Sequence, residues 1–183
     1  MRKLDMQELN RKSVGEFKEA EKIPIIIVLD NVRSMHNVGS IFRTADAFLL
    51  EGIYLCGFTP KPPHRDIHKT ALGATETVSW KYFENAQTAA IDLLSKGYDL
   101  FAVEQVENGM PLQLASLDMT KGKAVIFGNE LKGVSEVLLS QCKGCLEIPQ
   151  WGMKHSLNVS VAAGIVIWEL TRSRFANGKT EPK

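Results

Sequence analysis

Several things are scarce in this sequence, and each scarcity excludes a class. It has three cysteines in 183 residues, Cys56, Cys142 and Cys145. That is too few, and odd in number, for a disulfide framework, and it points to a reducing compartment. The longest apolar-rich stretches, 23–29 and 159–170, fall short of the roughly 20 residues that a membrane-spanning helix needs. The opening MRKLDMQELNRK is charged and lacks the apolar centre of a signal peptide. No charge predominates either: 22 Lys and Arg stand against 21 Asp and Glu, a net +1. Any affinity for nucleic acid must therefore come from local patches. Together these absences predict a soluble, cytoplasmic protein without a membrane partner.

What is present describes one globular domain. The chain is 44% apolar and 23% charged, ordinary values, and it is long enough to bury a single core. Residues 1–22 are of mixed charge, with Met6, Leu9 and Phe17 at roughly helical spacing, which predicts an N-terminal helical extension. The run IIIVLD at 25–30 is continuous and β-branched, the pattern of a strand buried on both faces of a parallel sheet. Val38, Ile41, Phe42, Ala45 and Phe48 then recur at helical spacing, with Asn37 standing where an N-cap belongs. Strands follow near 53–56, 98–103, 124–127 and 145–148, and helices at 85–96, 135–142 and 157–172. Alternation of this kind predicts an α/β domain, a parallel sheet with helices on both faces. The proline-rich stretch 59–69, TPKPPHRDIHK, reads as a loop with a basic tip. The domain spans 23–175, and a tail of 176–183 follows it.

Ligands of open α/β sheets bind at the carboxyl ends of strands, and three loops there have unusual compositions. In NVRSMHNVGSIFR, Asn37, Ser40 and Arg43 fall at three-residue steps, either an anion site or an N-cap with a solvated arginine. In GNELKGVS, glycines 128 and 133 stand at P-loop spacing, but Val134 occupies the place of the phosphate-binding lysine. Nucleoside triphosphate binding is thereby disfavoured. Gly128 would let a ligand approach the backbone and Glu130 could accept hydrogen bonds from ribose; alternatively, the loop is a turn with a solvated glutamate. In IPQWGMKHSLN, Ser156 and Asn158 bring polar groups to the start of the last helix. That helix, rich in Ala and Gly, is expected to be buried on most of its surface.

HNVGSIFRTADAF, VIFGNELKGVS and IPQWGMKHSLNVSVAAG, in this order, resemble the three motifs of the SpoU (TrmH-like) 2′-O-ribose RNA methyltransferases of the SPOUT class. The resemblance runs from Ile25 to Leu170. It implies transfer of the S-adenosylmethionine methyl group to a ribose 2′-hydroxyl of RNA, a C-terminal trefoil knot, and a homodimer whose sites form at the interface. By position it assigns cofactor contacts to Val103, Gly128, Ile148, Leu157 and Ser156. Catalytic roles fall to Arg43, Asn37, Glu130, Ser156 and Asn158, and no metal is implied. A guanidinium is effectively never deprotonated in proteins, so Arg43 reads better as a clamp on phosphate and ribose than as a base.

Other signals are weaker. Cys142 and Cys145 form C-x-x-C without a second pair at zinc spacing, and read as small core residues. Lys61, Arg65, Lys69, Arg172 and Arg174 are either phosphate contacts or solvated, as are His64 and His68. Few residues precede the first strand, too few for a separate RNA-binding domain, which favours tRNA over rRNA as substrate. The rival from another class is a non-catalytic RNA-binding module retaining the fold.

Overall fold

A computed structural model of the chain describes residues 1–5 and 8–176. The order is α1 (Val14–Glu19), β1 (Ile23–Asp30), α2 (Met35–Ala47), β2 (Leu50–Cys56), α3 (Arg65–Ala71), α4 (Ala74–Thr77) and β3 (Trp80–Phe83). There follow α5 (Ala86–Ser95), β4 (Asp99–Val103), β5 (Met110–Pro111), a 3₁₀ turn (Leu112–Leu114), β6 (Lys123–Phe127), α6 (Glu136–Leu139), β7 (Gly144–Glu147) and α7 (Val159–Ala176). The seven strands form one parallel sheet in the order β3-β2-β1-β6-β4-β7-β5.

Central β1 shows why its sequence carries no alternation. Ile25, Ile27 and Leu29 join Val38, Ile41, Phe42 and Ala163 in one buried cluster, while Ile26 and Val28 join Ala89, Leu93 and Leu100 in another. A strand covered on both faces has no polar side, so every position is apolar. The first cluster is covered by α1 to α4 and α7, the second by α5 and α6. Each fully buried Ile or Leu contributes about 1.5–3 kcal/mol relative to exposure.

The sequence expectations hold for the sheet and its alternation, and fail at local boundaries. The helix expected from Val38 begins three residues earlier, at Met35, because Ser34 and not Asn37 is its N-cap: the Ser34 hydroxyl accepts the Asn37 N–H at 3.3 Å. A three-residue shift of this kind is what a second polar side chain near a helix start conceals. Half of the expected loop 59–69 is helix α3, started by His64, whose Nδ1 accepts the Asp66 N–H at 3.1 Å. Among the described residues of the N-terminal stretch, only α1 is helical; Leu9 lies in a turn, and Phe17 alone reaches the core. Met6 and the tail from 177 lie outside the described residues. Nor is α7 buried on most of its surface. Ala163, Val166, Ile167 and Leu170 are buried, whereas Val161, Ile165 and Trp168 form an exposed stripe at i, i+4, i+7.

Candidate active site

Parallel registers bring the carboxyl ends of β4, β6 and β7 level, with Val103 beside both Phe127 and Leu146. The loops leaving those ends enclose a cavity of about 800 Å³, a size that suits a cofactor. Its walls include Val103, Gly128, Ile148 and Leu157, and the same cavity touches Glu130, Ser156 and Asn158. Segments more than fifty residues apart in sequence thus converge on one concave site.

Its shape depends on a close approach of two backbones. A Cβ built on Gly128 would lie 2.1 Å from the Gly133 carbonyl carbon and 2.3 Å from the Val134 nitrogen. A side chain at residue 128 would therefore collide with its own loop where that loop folds back upon it. Beside this contact, the Glu104 carboxylate accepts the Val134 N–H at 3.0 Å and the Gln105 N–H at 2.9 Å. The Gln105 side chain donates to the His155 carbonyl at 3.1 Å. Asn129 accepts the N–H groups of Leu131 and Lys132 and donates to the Asn31 carbonyl at 2.8 Å. Glu104, Gln105 and Asn129 are site residues that sequence reasoning missed. Only their positions just after β4 and β6 pointed to them.

Asn158 holds the third loop in place. Its Oδ1 accepts the Ser160 N–H at 2.9 Å, capping α7, and its Nδ2 donates to Asn37 Oδ1 at 3.1 Å. The first turn of α2 is thereby tied to the start of α7 within one chain. Arg43 is placed elsewhere. Six residues beyond Asn37 on α2, it is rotated by about 120° and advanced by about 9 Å along the axis. It is exposed and not on the cavity wall. The expected grouping of Asn37 and Arg43 around one helix N-terminus therefore does not occur in the protomer.

Among the described residues no group of three or more His, Cys, Asp or Glu is placed to hold a metal ion, and no helix is long and apolar enough to cross a membrane. Cys142 and Cys145 are half-buried free thiols, and burial pushes that of Cys142 up to about 11. Of the basic residues weighed as phosphate contacts, Lys69 pairs with Asp66, Arg172 with Glu169 and Arg174 more loosely with Glu21. Lys61 and Arg65 have no acidic partner among the described residues.

The second and third of the motifs that resemble the SpoU methyltransferases supply loops around this cavity, over the carboxyl edge of the parallel sheet. The model of the SpoU rRNA Methylase family matches residues 24–168. The chain belongs to that family and is an RNA methyltransferase. It is 31% identical over 171 residues to the tRNA (guanosine(18)-2′-O)-methyltransferase of Thermus thermophilus, covering 93% of this chain and 86% of that one. The crystal structure of the A. aeolicus TrmH/SpoU tRNA modifying enzyme superposes with a TM-score of 0.79 at 28% identity, covering 94% of this chain and 85% of the other. A structure described for 2′-OH methylation of C/U34 on tRNA gives a TM-score of 0.71 at 25% identity, over 84% and 97%.

Proposed function

We propose that this chain transfers the methyl group of S-adenosylmethionine to a ribose 2′-hydroxyl of tRNA, acting as a homodimer without a metal. The observation that carries this reading is the single cavity shared by Val103, Gly128, Ile148 and Leu157 with Glu130, Ser156 and Asn158. The relatives named above act on tRNA, which supports tRNA over rRNA. The trefoil knot belongs to the same reading. It rests on the likeness of the three motifs to those of the family.

The cavity suits the cofactor. Apolar walls at Val103, Leu146, Ile148, Leu157 and Ala162 can face an adenine ring, and the carboxylates of Glu104 and Glu130 offer negative charge to a sulfonium. When bound, S-adenosylmethionine supplies an activated methyl group: a bond forms from the ribose oxygen to carbon, the carbon–sulfur bond breaks, and the hydroxyl proton leaves. The residues of this chain chiefly position the reactants. The 128–134 loop, braced by Glu104 and Asn129, keeps the wall fixed, and Asn158 holds Ser156 and Leu157 over it. Arg43 clamps phosphate and ribose through its planar fork and offsets charge developing on the oxygen.

Arg43 stands off the cavity of its own chain, so it serves a site in the second protomer. The α7 stripe of Val161, Ile165 and Trp168 supplies the apolar surface for that dimer.

Calorimetric titration with S-adenosylmethionine in excess chelator should show binding at unchanged affinity. Gly128→Ala should lose binding by tenfold or more, since the Gly133–Val134 backbone has to move to admit the methyl group. Binding that vanishes with chelator, or survives Gly128→Ala undiminished, contradicts this assignment of the cavity.

A further inference from the structure

One exposed aromatic on the carboxyl edge of the sheet stands on a backbone that hydrogen bonds hold on both sides. Phe58 follows β2 with 76% of its surface in solvent, yet the backbone on both sides of it is pinned. Its N–H donates to Asn31 Oδ1 at 3.0 Å. Gly57 before it has φ +61, and a Cβ there would lie 2.3 Å from the same Asn31 oxygen, so only glycine admits the contact. The buried Thr59 hydroxyl after it donates to the Leu29 carbonyl at 2.9 Å and accepts the Val32 N–H at 3.1 Å. The Tyr82 hydroxyl donates to the Gly57 carbonyl at 3.1 Å.

One cation lies beside the Phe58 ring and a second lies over Tyr82, whose hydroxyl reaches the Gly57 carbonyl. The Arg33 guanidinium lies 5.6 Å from the Phe58 ring centre, and the Lys61 ammonium lies 4.1 Å over the Tyr82 ring. Neither cation has an acidic partner among the described residues. Asn31, which receives the Phe58 N–H, also accepts the Asn129 side chain through its carbonyl at 2.8 Å, and Asn129 lines the cavity. A single residue therefore links the aromatic to the wall of the methyl-transfer site.

Solvent exposure of an apolar ring, a hydrogen-bonded backbone beneath it and nearby cations without acidic partners together suit the faces and phosphates of unpaired nucleotides. We propose that Phe58, with Arg33 beside it and Lys61 over Tyr82, is a stacking platform for an unpaired base of the RNA substrate, next to the nucleotide that is methylated. This rests on the reading of the chain as an RNA methyltransferase and adds to it the surface that selects a splayed, single-stranded target.

The test compares Phe58→Ala, Phe58→Leu and Phe58→Trp with the wild-type enzyme in fluorescence-anisotropy titrations against labelled oligoadenylate and unfractionated tRNA. Calorimetric S-adenosylmethionine affinity and sedimentation are measured on the same samples. Loss of one stacked base should weaken RNA binding about five- to a hundredfold in the Ala and Leu variants. Trp should bind at least as well as Phe, and S-adenosylmethionine affinity and oligomer mass should not change. Leu binding RNA as Phe does overturns the platform, because apolar bulk without a π face is then sufficient. A change in oligomer mass with unaltered RNA affinity also overturns it, assigning Phe58 to a protein interface. If the wild-type enzyme methylates no RNA, the reading of the reaction fails, whereas the binding comparison still judges the platform.

Discussion

Arg43→Ala and Arg43→Lys should each lower single-turnover methylation of tRNA by two or more orders of magnitude while leaving S-adenosylmethionine affinity near that of the wild type. The size of the loss is that expected when a contact made in the transition state is removed. Lysine keeps the charge but lacks the planar, bidentate fork, so it should fail nearly as badly as alanine. Arg43 is exposed on α2 and off the cavity wall, hence neither change should disturb the fold or the cofactor site. Near-normal turnover by the lysine variant would reduce the residue to simple charge attraction. Near-normal turnover by the alanine variant would remove it from the mechanism.

Ile165→Glu should convert the proposed dimer to monomer and abolish activity with it. The substitution places a carboxylate in the middle of the exposed apolar stripe of α7, between Val161 and Trp168, where association would have to desolvate an unpaired charge. Ile165 is 39% exposed in the protomer, so the fold should tolerate the change. Sedimentation should show monomers, and methylation should fall a hundredfold or more because Arg43 no longer meets a second cavity. Mixing Arg43→Ala with Asn158→Ala isolates the shared site. Random mixing makes about half of the dimers mixed, each with one intact site of two, so activity should return to about a quarter of the wild-type value. No recovery on mixing would place Arg43 and the cavity of its own chain in the same site.

The sheet was readable because two-sided burial leaves a signal in every residue: Ile25 to Leu29 carry no polar position, and all five are buried. Smaller elements left none. Edge strand β3, WKYF, is half in solvent and only four residues long, and α3 is disguised by the prolines before it. The boundary of α2 was misplaced because Ser34 and Asn37 are both good caps, and only the direction of one hydrogen bond distinguishes them. The cavity walls at Val103, Gly128, Ile148 and Leu157 came from the motif resemblance, not from periodicity. Asn31 and Asn129 escaped notice because their bond joins positions 98 residues apart, and nothing in a single sequence records such a pairing. Gly128 was singled out for the approach of a ligand, whereas the nearest neighbour of its missing side chain is the backbone of Gly133.

Methyl transfer itself is tested most directly by offering methyl-labelled S-adenosylmethionine with tRNA and, separately, with ribosomal RNA, then digesting the product with alkali. A 2′-O-methyl group removes the hydroxyl that alkali uses to cleave the neighbouring phosphodiester, so the label should remain in an alkali-resistant dinucleotide. The expected result is label from tRNA in that dinucleotide at a single position, with incorporation by Arg43→Ala slower by two or more orders of magnitude. Label released as a methylated base, or no incorporation into either RNA by an enzyme that binds S-adenosylmethionine, would contradict 2′-O-ribose methylation.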